Sequence, residues 1–404
     1  MNVLLITSVY PNIEPNTSST PVVHYFAREW VKLGHNVRVI SCPSNFPWYL
    51  RYPANIFKKL ISSKTGGDIR TVNLQEKVYV IDDVNVYRIP MFKWWPHIRY
   101  SKTLVNEVSK KILNFCSENM FLPDVIIGHW VNPQLELINI LKSAWNNPIT
   151  CLVMHDCGVD LDNIYRKEHS QLLNNIDVIG YRSDAIKRGF EKKYGVWDKW
   201  FYCYSGVPES FISPIVKHRT FDNVTSFTFV GTLIQRKFPV AILKALMHSK
   251  LSSNFRLRYI GSGYEAKKIK QIVNENVLLK EQVVLSGYIP REDIVTHLLN
   301  TDVFVMISAN ETFGLVYLEA MSVGCITIAS RNEGFDGIIK DGVNGFLCEA
   351  GNVNELQTII DRIVEMTPEE LQRISNNAIQ TAQNMTDKIV AKQYIMNLEN
   401  LINK

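Results

Sequence analysis

The sequence has no long hydrophobic run: nowhere in its 404 residues do about eighteen apolar side chains follow one another, so no membrane-spanning helix is expected. It also lacks a basic flank, an apolar stretch and a small-residue cleavage site at its start, and opens directly on the strand-like Val3-Leu4-Leu5-Ile6. A cytoplasmic protein, neither spanning nor exported, is the expectation. No Cys-x-x-Cys occurs among the seven cysteines, and their odd number argues against a disulfide framework. Cys151 and Cys157 flank His155 at a spacing that suits no common zinc site, so buried reduced thiols are expected. Glycine is missing from Tyr10 to Pro21, and no Gly-x-Gly-x-x-Gly follows the first strand, which counts against a nicotinamide dehydrogenase. Internal repeats and low-complexity segments are also missing, which excludes solenoids and linker-like tails.

What is present is an ordinary folded composition, 46% hydrophobic and 21% charged, in a chain longer than one core usually supports. Short apolar runs alternate with amphipathic stretches. Val3 to Ser8 and Val37 to Ser41 predict strands around a helix from Pro21 to Leu33, with Val22, Phe26, Trp30 and Leu33 on one face. The alternation resumes with strands at Asp124–His129, Ile149–His155 and Asp177–Tyr181, and helices at Gln134–Trp145 and Asp184–Tyr194. Val78 to Pro90 predicts a hairpin turning at Asp82-Asp83. Ser205 to Asn223, with Gly206, Pro208 and Pro214, loses periodicity and marks a linker. A second series of strands and helices follows, from Ser226 to Ala329, and helices close the chain. The pattern predicts an α/β protein of two Rossmann-like, doubly wound domains: residues 1–207, residues 208–386, and a last helix, 387–404, that crosses back to the first domain or packs on the second. In that helix Ile389, Tyr394, Met396 and Leu398 recur at helical spacing.

The net charge of +5 is uneven: residues 51–111 hold twelve Lys/Arg against five Asp/Glu, among Trp48, Tyr49, Tyr52, Phe57, Phe92, Trp94 and Trp95. Attraction to an anionic membrane surface or a phosphorylated acceptor is one reading, and a solvated basic face over core aromatics the other. Nucleic-acid binding motifs are absent.

The most informative stretch is Asn310-Glu311-Thr312-Phe313-Gly314-Leu315-Val316-Tyr317-Leu318-Glu319, with two acids eight residues apart. A helix is expected from Leu315 to Val323, and if its first turn starts near Thr312 it offers unpaired N–H groups and the positive end of its dipole, a seat for phosphate. Glu311 would then accept hydrogen bonds from a hexose, and Glu319, roughly 12 Å further along the helix, from a ribose diol. Two solvent-facing acids would share that spacing.

This stretch resembles the Glu, seven residues, Glu signature of retaining GT-B glycosyltransferases of family 4, the glycosyl transferases group 1. Val230-Gly231-Thr232-Leu233-Ile234-Gln235-Arg236-Lys237 is similar to the family's donor loop, and Ile260-Gly261-Ser262-Gly263 to its Gly-x-Gly. Leu285-Ser286-Gly287-Tyr288-Ile289, Ser330 to Gly337 and Asp341 to Leu347 match further segments. The resemblance implies two domains facing each other across a cleft, with a nucleotide-diphosphate sugar on the second. Lys237, helped by Arg236, would pair with the diphosphate, beside Gly231 and Thr232. Glu311 would hold the transferred sugar, Glu319 the ribose, the Phe313, Gly314 and Leu315 backbone the phosphates, and Tyr288 and Ile289 the base. Thr232 departs from the pattern, standing where the family usually has an arginine.

In the first domain, His155 ends a predicted strand, where open α/β sheets bind ligands. It resembles the family's active-site histidine, with a structural histidine as the alternative. His129 and Trp130 close the preceding strand as an aromatic platform for an acceptor, or as core. Ser19 and Thr20 occupy the place of the family's usual Gly-Gly, and are the remaining acceptor-side candidates. The resemblance implies a metal-independent, retaining transfer of a hexose to a sugar or lipid-linked saccharide in bacterial surface polysaccharide assembly. A sugar-nucleotide epimerase on the same fold, an inactive partner subunit or a carbohydrate-binding protein are the rivals.

Overall fold

The computed structural model describes residues 1–11, 21–51, 73–156, 161–212, 221 and 223–402. Ser19, Thr20 and Cys157 lie outside them, as do residues 52–72 of the basic segment. The chain forms two compact units: Met1–Arg182, Ile186–Tyr204 and Asp387–Lys404 make the first, Ser183–Ala185 and Ser205–Thr386 the second.

In the first unit, strands β1 (Asn2–Thr7), β2 (Asn36–Ser41), β4 (Lys77–Ile81), β5 (Val84–Arg88), β7 (Val125–His129), β8 (Ile149–Met154), β9 (Val178–Tyr181) and β10 (Trp200–Tyr202) build one sheet. The order is β10-β9-β8-β7-β1-β2-β5-β4. All neighbours are parallel except β4 and β5, a hairpin whose turn residues Asp82 and Asp83 take positive φ of 48° and 60°. Ser44–Asn45 (β3) and Met91–Phe92 (β6) pair separately. The central strands are buried on both faces, and β1 runs Val3-Leu4-Leu5-Ile6 with no exposure. From β1 the chain winds to β2 on one side and reaches β7, β8 and β9 on the other, so the topological switch point lies between β1 and β7.

Helix Lys102–Glu118 is capped by Ser101, whose side chain accepts from the Leu104 amide, and it buries Val105, Val108, Ile112 and Phe115. It lies partly inside the stretch that reads in sequence as a basic surface, and it emerges as a two-faced helix. The last helix, Asp387–Ile402, packs in the first unit: Trp30 donates from Nε1 to the Ala391 carbonyl at 2.9 Å, and the Tyr394 ring meets Phe26 and Trp30 edge-on. Tyr394 and Leu398 are buried, but Ile389 and Met396 are 44% and 42% exposed. The buried stripe is instead Ala391, Tyr394, Ile395 and Leu398, spaced by three and four residues. In the first helix, Val22–Lys32, Phe26 and Trp30 are likewise buried while Leu33 lies beyond its end and is exposed.

The second unit has an all-parallel sheet of β11 (Ser226–Val230), β12 (Arg256–Ile260), β13 (Val283–Gly287), β14 (Val303–Val305), β15 (Ile326–Ser330) and β16 (Phe346–Cys348). Its order, β13-β12-β11-β14-β15-β16, places the switch point between β11 and β14. Helices Val353–Glu365 and Pro368–Gln383 follow, the second opened by a Thr367–Glu370 capping box with Pro368 in its first turn. Six cysteines (Cys42, Cys116, Cys151, Cys203, Cys325 and Cys348) are free and buried.

Candidate functional site

Two loops leave the carboxyl ends of β11 and β14, the strands that flank the switch point of the second unit. The first runs from Gly231 through a short turn at Gln235–Lys237, and the second from Met306 to Gly314. They are stapled together: Ala309 donates its amide to the Arg236 carbonyl at 2.8 Å, and Arg236 Nη1 donates to the Ala309 and Asn310 carbonyls at 3.2 and 3.3 Å. Arg236 therefore braces the backbone that carries Glu311, and its guanidinium stays 3.9 Å from Glu311 Oε2.

Lys237 reaches back over Gly231. A β-carbon on Gly231, where φ is +150°, would lie 3.2 Å from Lys237 Nζ, so glycine there leaves room for the ammonium. That ammonium stands 3.4 Å from Glu311 Oε2, which also accepts from Ser308 Oγ at 3.1 Å. The Glu311 amide donates to Glu333 Oε2 at 2.8 Å. Among the described residues nothing hydrogen-bonds Glu311 Oε1, which remains an acceptor for a ligand hydroxyl.

The following helix begins at Leu315, as the sequence predicts, and Gly314 adopts a left-handed conformation (φ 84°, ψ 68°) at its N-cap, so Thr312 and Phe313 lie ahead of it. A side chain at Gly314 would strike the Tyr317 ring at 2.4 Å. Among the described residues no side chain caps this helix, and the Tyr317 amide donates to the Gly314 carbonyl at 3.0 Å. The Tyr317 hydroxyl donates to the Met306 carbonyl at 2.7 Å and seals the base of the site.

Glu319 lies deeper. It is 3% exposed, and both Nε and Nη2 of Arg291 lie 2.7 Å from its Oε1. Burial pushes its carboxyl above the ordinary value, and the Arg291 charge works against that shift. Thr232 and Tyr288 are exposed, Tyr288 by 77%, and Ile289 is half-buried. Phe313 is buried, with its ring edge-on to Phe335. Ser308, Glu333 and Arg291 are the members that sequence reading misses. Ser308 follows a strand end and was open to the same argument as Glu311, whereas the Arg291–Glu319 pair spans 28 residues with no local signal.

In the first unit, His129 ends β7 and His155 follows β8, beside that sheet's own switch point. His129 Nδ1 lies 2.8 Å from His155 Nε2, and the Trp130 and His155 rings stack at 4.0 Å with 15° between their planes. Trp130 takes a positive φ of 67° in making that contact. His129 is fully buried, and burial above all holds both imidazoles well below their ordinary pKa, with the Arg182 guanidinium adding to the effect. Both rings are therefore neutral near pH 7. The structure thus brings Gly231, Arg236, Lys237, Glu311 and the Gly314–Leu315 helix start into one site, and His129, Trp130 and His155 into another cluster.

Residues 215–381 match the family model of glycosyl transferases group 1. An uncharacterized glycosyltransferase of Methanocaldococcus jannaschii is 26% identical over 292 residues, 71% of this chain and 76% of that protein. The UDP-Gal:α-D-GlcNAc-diphosphoundecaprenol α-1,3-galactosyltransferase of Escherichia coli is 29% identical over 167 residues, 41% of this chain and 40% of that one. Anabaena HepE, solved in complex with UDP, superposes with a TM-score of 0.70 at 17% identity, covering 99% of this chain and 100% of its own. The architecture is that of the GT-B glycosyltransferases, and the second unit carries the stretch similar to the glycosyl transferases group 1.

Proposed function

We propose that this glycosyltransferase is a retaining hexosyltransferase of family 4, taking its sugar from a nucleotide-diphosphate donor and passing it to a sugar or lipid-linked saccharide in bacterial surface polysaccharide assembly. The observation that carries this reading is the meeting of Lys237, Glu311 and an uncapped helix start at the carboxyl end of one switch point. A sugar diphosphate needs a cation and amide donors for its phosphates, and an acceptor for its sugar hydroxyls. Lys237 and the amides after Gly314 supply the first, and Glu311 Oε1 the second. Glu319 is assigned to the ribose and the backbone at Tyr288 and Ile289 to the base. The Escherichia coli relative, named for a UDP-Gal donor and a diphosphoundecaprenol-linked acceptor, supports the donor and acceptor classes.

As the bond from sugar to phosphate lengthens, charge develops on the departing diphosphate, and Lys237 and the helix start stabilise it. The acceptor hydroxyl attacks from the same face. It forms the new glycosidic bond and gives its proton to the departing phosphate oxygen, so the products are the glycoside and the nucleoside diphosphate. His155 is assigned to the sugar. No step calls for a metal, and transfer is expected to continue in chelator.

The test is a panel of nucleotide sugars with saccharide and polyprenyl-linked acceptors, read by product mass and by the anomeric configuration from NMR. Retained configuration and chelator-resistant transfer support the reading. Turnover of a nucleotide sugar without any acceptor would favour the epimerase, and no turnover across the panel the non-catalytic partner.

Exposed aromatics favour a membrane surface as a second partner of the first unit. Trp48, Trp94 and Trp95 are 72%, 64% and 59% exposed around the β3–β6 pair, next to the segment with the excess of cations. Among the described residues no helix is long and apolar enough to cross a membrane. A peripheral position on the inner face of the membrane, in the cytoplasm, follows from this reading. Salt-sensitive binding to anionic liposomes, lost in Trp94→Ala/Trp95→Ala, is the expected result. Binding that is absent in low salt would remove it.

A further inference from the structure

We propose that Tyr394, on the last helix, is a positioning residue that fixes the tautomer of His155 through His129, leaving His155 with its proton on Nδ1 and its Nε2 as an occupied acceptor. The inference rests on the reading above only in giving His155 a part in the reaction.

The three side chains form a buried line. Tyr394 Oη lies 3.4 Å from His129 Nε2, and His129 Nδ1 lies 2.8 Å from His155 Nε2. Tyr394 and His129 are both 0% exposed, so no water reaches this end of the line. The phenol keeps its proton, because burial pushes its pKa well above the ordinary value. It has two neighbours to bond, His129 Nε2 and the thiol of Cys151. An imidazole nitrogen is a strong acceptor and a thiol sulfur a weak one, so the phenol proton is assigned to the bond with His129 Nε2.

A neutral imidazole has one N–H. With Nε2 accepting from Tyr394, the His129 proton sits on Nδ1 and is donated to His155 Nε2. The His155 proton then sits on Nδ1. The Trp130 ring stacked on His155 holds the plane of that imidazole. His155 so arranged has no lone pair to take a proton from an acceptor hydroxyl, and it acts on the sugar as a hydrogen-bond donor or through its backbone. That agrees with a reaction in which the departing phosphate takes the proton. It also gives the return of the last helix to the first unit a purpose beyond packing, since the hydroxyl that sets the line comes from that helix.

The experiment is a long-range proton–nitrogen correlation spectrum of the full chain labelled with ¹⁵N-histidine, with His155 and His129 assigned from the His155→Gln spectrum. In the wild type His155 should be a single neutral form with Nδ1 protonated, the reverse of the form that free histidine favours in water. In Tyr394→Phe, which keeps the ring and removes the donor, the Nε2-protonated form should appear at His155, and kcat should fall several-fold with the donor KM little changed. A wild-type His155 protonated on Nε2, or a Tyr394→Phe spectrum identical to the wild type, overturns the proposal. If Tyr394→Phe does not fold, the wild-type spectrum alone decides the tautomer. A changed tautomer with unchanged turnover upholds the Tyr394–His129–His155 line and removes His155 from the reaction instead.

Discussion

Lys237 Nζ stands 3.4 Å from Glu311 Oε2, although the two residues are separated by 74 positions and three strands of the sheet. Both side chains are largely sheltered, 13% and 14% exposed, so the pair is organised before any ligand arrives. The arrangement leaves Glu311 Oε1 available and places a cation beside it, which suits a ligand that is anionic at one end and hydroxylated at the other.

With Glu311 in the proposed role of acceptor for the sugar hydroxyls, Glu311→Gln is expected to lower kcat by about 100-fold or more while nucleotide affinity changes little, because the amide keeps the shape but loses the charged acceptor. Steady-state kinetics beside nucleotide calorimetry check this. A variant with normal kcat would contradict the role.

Gly334 packs against the same loop: a β-carbon there would come within 2.4 Å of the Glu311 carbonyl and 2.5 Å of the Phe313 amide. Gly334→Ala should push the Glu311 backbone aside and reduce kcat/KM by roughly 100-fold, the scale of a displacement of about an ångström. Gly261→Ala should act on stability instead. Its β-carbon would sit 2.0 Å from the Gly231 carbonyl, at a φ of +133°, and a loss of more than about 2 kcal/mol in urea unfolding is expected.

The last helix gives a paired prediction. Leu398 is fully buried and Met396 is 42% exposed. Leu398→Ala should cost about 2–5 kcal/mol, and Met396→Ala less than about 0.5 kcal/mol, by denaturant titration. Equal effects would mean that the helix does not pack as described.

Lys93 provides a pH dependence. It is 8% exposed, its ammonium lies 4.3 Å from the Tyr100 ring centre, and burial pushes its pKa down to about 8. Between that value and the unfolded value of about 10.4, the unfolded chain binds more protons than the folded one, so folding gains stability as pH rises through this window. Below pH 8 the penalty is complete. Lys93→Met should thus stabilise the protein by on the order of 2–3 kcal/mol at pH 7, and the gap should close near pH 10. A gap that stays constant with pH would show that Lys93 is not held in an apolar place.

Much of this was legible in the sequence wherever the signal was local. The β strands at Val3, Val37 and Ile149 are continuous apolar runs, and Asp82-Asp83 is a turn by its residue type. The loop from Gly231 to Lys237 and the roles expected of the two acids come from the family resemblance, since their spacing alone also fits two solvent-facing acids. What escaped was set by tertiary context. Helix Lys102–Glu118 was hidden by its lysines, although Val105, Val108 and Ile112 already traced a face. The start of the helix after Glu311, at Leu315, is legible from its apolar run, whereas nothing in Thr312-Phe313-Gly314 reveals that Gly314 turns left-handed. Glu319 carried no mark of its partner, since Arg291 comes from another helix. Ile389 and Met396 fitted a helical period whose phase only the packing of Trp30 on Ala391 decides.

The most direct test is calorimetric titration of nucleoside diphosphates into the wild type and Lys237→Met. A charge-assisted phosphate contact contributes about 1.5–3 kcal/mol, so the variant should bind the preferred diphosphate roughly 10- to 100-fold more weakly, with the corresponding nucleoside unaffected. Equal affinity for the diphosphate in both proteins would contradict the assignment of this site.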